Sequence, residues 1–227
     1  MQYSAEVLDA WDEAEGMRTI KASRGFDFMP GQFAAVRLPC QDGRGGIRTL
    51  SIASSPTENF LMFTTKISET GFKQAFAALK KGGKMEIKGP SGRFVLDEKR
   101  DAVMLSGGIG ITPLRSMIKY AADRKLGMKI TLLYSNRVPE GIAYRKDLDA
   151  MAKENRNFRL VNTITGDAPG WKGERGRIDA KMISKYASSG ALYYICGPPA
   201  MVEAVRKALL EAGIKEDSVM AEDFEGY

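Results

Sequence analysis

The sequence predicts two units in series: a small antiparallel β barrel over residues 1–98, then an α/β unit over residues 99–227 built on a parallel sheet. The barrel is predicted by short alternating or β-rich stretches that Pro-Gly, Gly-Gly and Gly-Pro turns keep apart. The α/β unit is predicted by a change of period after Asp101, where strand-like and helix-like segments alternate with short connections. With 227 residues and 44% hydrophobic content, the chain can give each unit its own core. A charged segment, residues 97–101, forms the seam.

In the first unit the strands fall at residues 17–22, 32–38, 61–67, 85–88 and 93–96. One helix is expected at 72–79, because Phe72, Ala75, Phe76 and Leu79 share a face and Gly82-Gly83 lies just beyond its end. The second unit should contain strands at 102–105, 129–134, 158–164, 192–195 and 218–221, with helices at 113–124, 143–154, 180–187 and 200–212. Such alternation puts helices on both faces of the sheet and ligands at the carboxyl ends of its strands.

Composition narrows the chemistry. There is no histidine, which removes Ser-His-Asp hydrolysis, histidine–metal sites and the commonest general base. Chemistry carried by a cofactor suits such a chain better. Two cysteines, Cys40 and Cys196, lie in opposite halves without cluster spacing, so neither a disulfide framework nor an iron–sulfur centre is expected. The net charge of +6 fits an anionic partner, and fits equally a solvated surface, since the basic residues form no single block. No apolar run approaches a bilayer span, and Met1-Gln2-Tyr3-Ser4 opens neither a signal peptide nor a transit segment. The expectation is a cytoplasmic protein, monomer or weak dimer, with no membrane insertion and no nucleic-acid partner.

Short motifs stand in order along the chain. In an extended Arg48-Thr49-Leu50-Ser51, Arg48 and Leu50 share one face, Thr49 and Ser51 the other. Gly71 precedes the first helix, whose free N–H groups and dipole favour an anion, and Lys73 adds charge. Ser106-Gly107-Gly108-Ile109-Gly110-Ile111-Thr112-Pro113 follows a strand; it reads as a tight structural turn or as a diphosphate seat, with Thr112 as N-cap and Pro113 opening the helix. Ser135-Asn136-Arg137 ends the next strand, where an arginine suits a ribose 2′-phosphate, with Arg175 or Arg177 as helpers. In Cys196-Gly197-Pro198-Pro199 the thiol reads first as a small core residue and not as a nucleophile. The tail Glu222-Asp223-Phe224-Glu225-Gly226-Tyr227 either frays or docks an aromatic anchor.

Together with Pro30-Gly31-Gln32-Phe33 and Gly89-Pro90-Ser91-Gly92-Arg93-Phe94, these motifs make the chain resemble the ferredoxin-NADP reductase superfamily of two-domain flavoprotein reductases. The resemblance implies an FAD-binding barrel and an NAD(P)H-binding α/β domain, with FAD as cofactor and NADPH or NADH as substrate. It further implies that Arg48 meets the flavin pyrophosphate and Ser51 the flavin N5 edge. Thr49, Leu50, Thr65, Lys66, Gly71, Phe72, Lys73 and Gln74 would complete the flavin site, although the family more often has tyrosine where Leu50 stands. Gly108, Gly110, Thr112, Pro113, Ser135, Arg137, Gly197 and Pro198 would hold the nucleotide, with Cys196 beside the nicotinamide. Glu222 would approach the flavin, and Phe224 or the terminal Tyr227 would cover its ring. The implied reaction passes hydride from NAD(P)H to FAD, then electrons to a one-electron acceptor such as ferredoxin or flavodoxin. Two alternatives stay open: a flavin reductase using dissociable flavin, and a flavin-binding electron-transfer subunit of a larger complex.

Overall fold

A computed structural model describes residues 1–43 and 45–224. The first unit comprises β1 (Gln2–Ala14), β2 (Met17–Ser23), β3 (Phe33–Arg37), β4 (Ile47–Ser51), β5 (Phe60–Lys66), α1 (Gly71–Ala78) and β6 (Lys84–Ser91). Its strands are antiparallel in the order β4-β3-β6-β1-β2-β5. The outer strands are drawn together just past β4, where Ala53 N–H donates to Met62 C=O at 2.8 Å. Alternate side chains, among them Ala34, Val36, Ile20, Ala22, Leu61, Phe63 and Ile87, fill the interior. The apolar face of α1 joins that core through Phe72 and Phe76, whose rings stack at 6.1 Å.

The second unit holds β7 (Ala102–Gly107), α2 (Ile111–Asp123), β8 (Ile130–Asn136), α3 (Arg145–Glu154), β9 (Phe158–Ile164), β10 (Glu174–Arg175), α4 (Ala180–Tyr186), β11 (Leu192–Gly197), α5 (Pro199–Glu211) and β12 (Val219–Asp223). All its strands are parallel, in the order β10-β9-β8-β7-β11-β12. Period-two alternation divides the core. Met104, Leu132 and Tyr194 pack with α2 and α3 on one face, while Leu105, Leu133 and Ile195 pack with α4 and α5 on the other. The order in which successive strands are added reverses between β7 and β11, so a crevice opens at their carboxyl ends. Among the described residues no helix is long and apolar enough to cross a membrane.

The expected antiparallel-then-parallel architecture is therefore present, with differences in several elements, among them the short edge strand β10, which the sequence reading lacks. The longest strand, β1, is absent from the sequence reading, because few of its side chains enter the barrel core; Ala5 and Val7 do, and several others face solvent or the seam. Residues 93–96 are not a strand. Phe94 and Leu96 leave the barrel and pack with the second unit's core, and Leu96 N–H is held by Pro30 C=O at 3.3 Å. The helix expected at 143–154 starts later, at Arg145, after Tyr144 takes a left-handed φ of 56°.

A polar seam joins the units. Arg115 on α2 is 4% exposed, and it donates to Ala53 C=O at 3.1 Å, to Glu58 at 2.6 Å and to Asp147 at 2.7 Å. Ser116 Oγ donates to Ser54 C=O at 2.6 Å. Across the other side, Glu13 accepts from Trp11 Nε1 at 2.6 Å and from Tyr144 N–H at 3.0 Å, while the Tyr144 hydroxyl meets Thr64. Breaking a buried ion pair from one side strands the remaining charge, at a cost of about 3–5 kcal/mol. Arg115→Met is therefore expected to lower unfolding free energy by an amount of that order, read from urea denaturation. A change within about 0.5 kcal/mol, the range of ordinary surface substitutions, would show that the seam does not depend on this residue.

Candidate active site

The crevice at the switch point is a cleft of about 730 Å³ walled by both units. From the α/β unit come Gly107, Gly108, Ser135, Asn136, Arg137, Thr165, Arg177, Pro198 and Met201; from the barrel come Glu15, Gly16, Met17 and Lys66. Gly108 has φ +51° with open space beside it, and its carbonyl accepts from the Tyr134 hydroxyl at 2.9 Å. Gly110 has no such room. A Cβ there would lie 2.1 Å from the Cys196 carbonyl oxygen, so the glycine lets the turn after β7 press against the turn after β11. The helix begins differently from the sequence expectation. A 3₁₀ turn over Gly108–Gly110 leads into α2, and Thr112 sits inside the helix with its hydroxyl on Ile109 C=O at 3.0 Å, so it is not the N-cap. Thr112 and Pro113 are both buried behind the cleft and do not line it.

Of the expected nucleotide residues, Gly108, Ser135, Arg137 and Pro198 line the cleft. Arg177 lines it as well, whereas Arg175 is tied to Ala168 C=O at 2.8 Å. Lys66, expected among the flavin residues, lines this cleft too, at the end of β5. Glu15, Gly16 and Met17 carry no motif that could have announced them. They reach the cleft because Glu15 N–H bonds Glu140 C=O at 3.1 Å across the seam, a contact between residues far apart in sequence.

A second group stands at the ends of the central strands. Ser106, Cys196 and Glu222 are register partners across β7, β11 and β12. Ser106 Oγ, Glu222 Oε2 and, at the end of β4, Ser51 Oγ are buried without a hydrogen-bond partner among the described residues. Folded proteins rarely leave such atoms unmatched; Arg18 Nε, Asn136 Nδ2 and Asn162 Oδ1 share that state elsewhere. Burial, reinforced by neighbouring Asp223, pushes the Glu222 carboxyl up to about 7. Burial also drives the Cys196 thiol well above its ordinary range, with Glu222 and Asp223 adding to the effect, so the thiol stays neutral. Gly197 C=O accepts from Phe224 N–H at 3.1 Å, and the Phe224 ring packs against the core that α2 and α3 share. Tyr227 lies outside the described residues.

The barrel mouth holds the remaining flavin candidates. Arg48 Nη2 is 2.7 Å from Asp42 Oδ2, and its guanidinium lies 5.3 Å from the Phe72 ring centre. Lys73 is 7% exposed, and burial together with the charges of Arg48 and Lys66 lowers its pKa. Three cations thus gather beside the amino end of α1, whose first turn contains no acidic residue. Leu50 and Phe72 are both turned into the barrel core, so the Phe72 ring offers no face to a ligand and only its backbone stays at the helix end. Thr65 is buried, Thr49 is exposed, and the Gln74 side chain donates to Ser68 C=O at 2.7 Å.

Comparison with known proteins gives this geometry a family. Residues 17–96 match the oxidoreductase FAD-binding domain family and residues 104–207 the oxidoreductase NAD-binding domain family. One of the subunits of the Na(+)-translocating NADH-quinone reductase of Idiomarina loihiensis is 31% identical over 184 residues, which are 77% of this chain and 44% of that protein. The glycine betaine monooxygenase reductase subunit of Pseudomonas aeruginosa is 32% identical over 193 residues, 81% of this chain and 52% of that protein. The chain thus spans about half the length of these curated relatives. Among solved structures, a ferredoxin NADP+ reductase from Neisseria gonorrhoeae with bound FAD and NADP shares the fold at a TM-score of 0.83 and 22% identity, covering 98% of each chain. The Amycolatopsis cytochrome P450 reductase GcoB does so at 0.85 and 24%, covering 99% of this chain and 70% of that one. With both domain families matched in order, the chain comprises an oxidoreductase FAD-binding domain followed by an oxidoreductase NAD-binding domain, and it shares the two-sheet fold of these solved reductases.

Proposed function

We propose that the chain takes hydride from NAD(P)H at the junction of its two sheets and delivers electrons singly to a protein acceptor such as ferredoxin or flavodoxin. In this reading residues 1–98 form the flavin domain and 99–227 the nucleotide domain. The carrying observation is the set of unpaired buried atoms at the strand ends, Ser51 Oγ, Ser106 Oγ and Glu222 Oε2. When bound, the flavin supplies the conversion from two-electron to one-electron chemistry that the side chains of a histidine-free protein do not provide. The protein's share is position and environment.

Arg48, Lys73 and the amino end of α1 hold the diphosphate of FAD, and Ser51 faces the ring edge that receives hydride. Gly108, Ser135, Arg137 and Pro198 hold the nucleotide, joined by Arg177, one of the two expected helpers, and by Lys66 from the barrel, which the sequence expectation placed with the flavin. Two arginines in one cleft favour the 2′-phosphate of NADPH, since a free 2′-hydroxyl is more often met by a carboxylate. Cys196 and Glu222 line the nicotinamide end, Glu222 half-protonated near neutrality and so able to donate or accept a hydrogen bond there. Phe224 covers the ring face that nicotinamide must take.

A second reading has the chain serving as the reductase part of a larger assembly. Its support lies in two relatives, one named as a subunit of a quinone reductase and one as the reductase subunit of a monooxygenase. A cytoplasmic setting belongs to either reading, in keeping with two free thiols at Cys40 and Cys196. Reduction of ferredoxin and of flavodoxin by the isolated chain, each measured beside an artificial acceptor, separates the two. Fast transfer to either protein supports the first reading, and fast reduction of the artificial acceptor alone supports the second.

Arg48→Ala is expected to weaken FAD about tenfold or more, because a charge-assisted bond to phosphate contributes roughly 1.5–3 kcal/mol. Equilibrium dialysis that returned wild-type affinity would remove the diphosphate role. Arg137→Ala and Arg177→Ala should each raise the dissociation constant of NADPH far more than that of NADH. Equal losses for both nucleotides would leave these arginines as general phosphate contacts.

Glu222 makes a pH prediction for the flavin-free protein. Its folded pKa, about 7, lies above the usual carboxyl value of 4.5, so the folded state binds the extra proton between those limits. Stability from this group is therefore lost as pH rises from about 4.5 to 7 and stays lost above that. Glu222→Gln should be more stable than wild type at pH 8, with the gap closing toward pH 5, in urea titrations at both pH values. A gap independent of pH would mean that the carboxyl is not raised.

A further inference from the structure

The turn between β3 and β4 folds back over the amino end of α1, and its carboxylate takes the partners that a flavin diphosphate needs. Leu38 N–H is held by Gly46 C=O at 2.9 Å, which closes the turn. Within it the Asp42 side chain is 7% exposed: Oδ2 accepts from Arg48 Nη2 at 2.7 Å, and Oδ1 accepts from Gly46 N–H at 3.1 Å. Gln41 presses on the helix end itself, since a Cβ on Gly71 would lie 2.3 Å from the Gln41 carbonyl oxygen and 3.2 Å from Asp42 Cβ. The helix supplies no acid of its own, and its N-cap Thr70 makes no side-chain capping bond. A buried carboxylate from another part of the chain thus holds the guanidinium while its own loop lies against the first turn of α1.

A guanidinium fork recognises carboxylate and phosphate oxygens in the same geometry. Arg48 already gives Nη1 to Ile47 C=O at 2.7 Å and Nη2 to Asp42. A diphosphate brought to the same place would meet the like charge of Asp42 at close range, in surroundings that screen poorly. We propose that Asp42 occupies the flavin diphosphate seat in the free protein and sets the affinity for phosphate-bearing flavins, which must displace its carboxylate from Arg48 to bind. This inference rests on the assignment of Arg48 to the diphosphate. Its consequence is selective: FAD is held more weakly than the cations at the barrel mouth would otherwise hold it, while a flavin without phosphate is indifferent to Asp42.

Asp42→Asn removes the charge and keeps an acceptor for Gly46 N–H. Flavin-free wild type, Asp42→Asn and Arg48→Ala are titrated with FAD and with riboflavin, following quenching of flavin fluorescence. Asp42→Asn should bind FAD about tenfold more tightly than wild type, the scale of one charge-assisted bond, with riboflavin unchanged. Unchanged or weaker FAD binding overturns the proposal, and so does an equal gain for riboflavin, which would mean that the turn merely obstructs the site. Amide exchange gives a second measurement on the wild type, needing no variant to fold: Gly46 N–H should exchange faster once FAD is added, and unchanged or slower exchange counts against displacement. Wild-type FAD affinity in Arg48→Ala would instead remove the diphosphate assignment itself, a failure distinguishable from that of Asp42.

Discussion

The Arg115 side chain fixes the geometry on which everything else depends. It projects from α2, the helix that begins directly after the Gly108–Gly110 turn, and it grips Ala53 C=O, two residues beyond Ser51 at the end of β4. One guanidinium therefore ties the glycine-rich turn of one sheet to the end of the strand that carries Arg48 and Ser51 in the other. Neither unit contains the cleft alone. Its walls are Lys66 and Met17 on one side and Gly108, Arg137 and Arg177 on the other. If the units shifted by a residue's length against each other, the cleft would lose one wall and the apolar cluster they share would be broken.

The seam combines apolar packing, through Met17, Ala53, Met62, Phe94 and Leu96 of the barrel, with a buried polar set, and the polar set has a physical consequence. Apolar contacts tolerate sliding, whereas a buried guanidinium facing Glu58, Asp147 and a carbonyl has one low-energy arrangement. The same holds for Glu13, which accepts from both Trp11 and Tyr144, and for Tyr194, whose hydroxyl accepts from Asp97 N–H at 2.9 Å. Phe94 sets its ring edge-on to Tyr194 at 5.6 Å, adding one apolar contact with directional preference. Specific orientation, and not only adhesion, is what these contacts supply.

Much of the fold is legible in the sequence because periodicity is local. The strand Phe158–Ile164 and the four helices of the second unit follow from alternation or a 3.6-residue stripe, and both turn motifs fall at the ends of β7 and β11 where the sequence places them. What escapes is decided by contacts between distant residues. β1 spends many side chains on the seam and on solvent, so it lacks the alternation that announces a strand. Phe94 and Leu96 look like barrel residues and pack in the other unit. Lys66 belongs to the barrel by sequence and lines the cleft that both units wall. Asp42 carries no motif, and its pairing with Arg48 exists only because a hairpin turn returns to the helix it faces.

Charge is sorted along the site, and the sorting bears on what the site accepts. The barrel mouth gathers Arg48, Lys66 and Lys73 closely enough that burial, joined by their mutual repulsion, lowers the Lys73 pKa. The strand ends are nearly neutral: two serine hydroxyls, a thiol kept protonated by burial and a carboxyl that titrates near 7. A ligand with a uniformly charged surface would be mismatched at one of these ends, since fixed cations favour an anion and buried neutral dipoles penalise one. A ligand with a diphosphate at one end and a flat polar-edged ring at the other meets both conditions in a single orientation. The neutral end of such a site would be the strand ends, Ser51 at the close of β4 in the barrel and the Ser106–Cys196–Glu222 row of the parallel sheet, in two units that the Arg115 seam holds together.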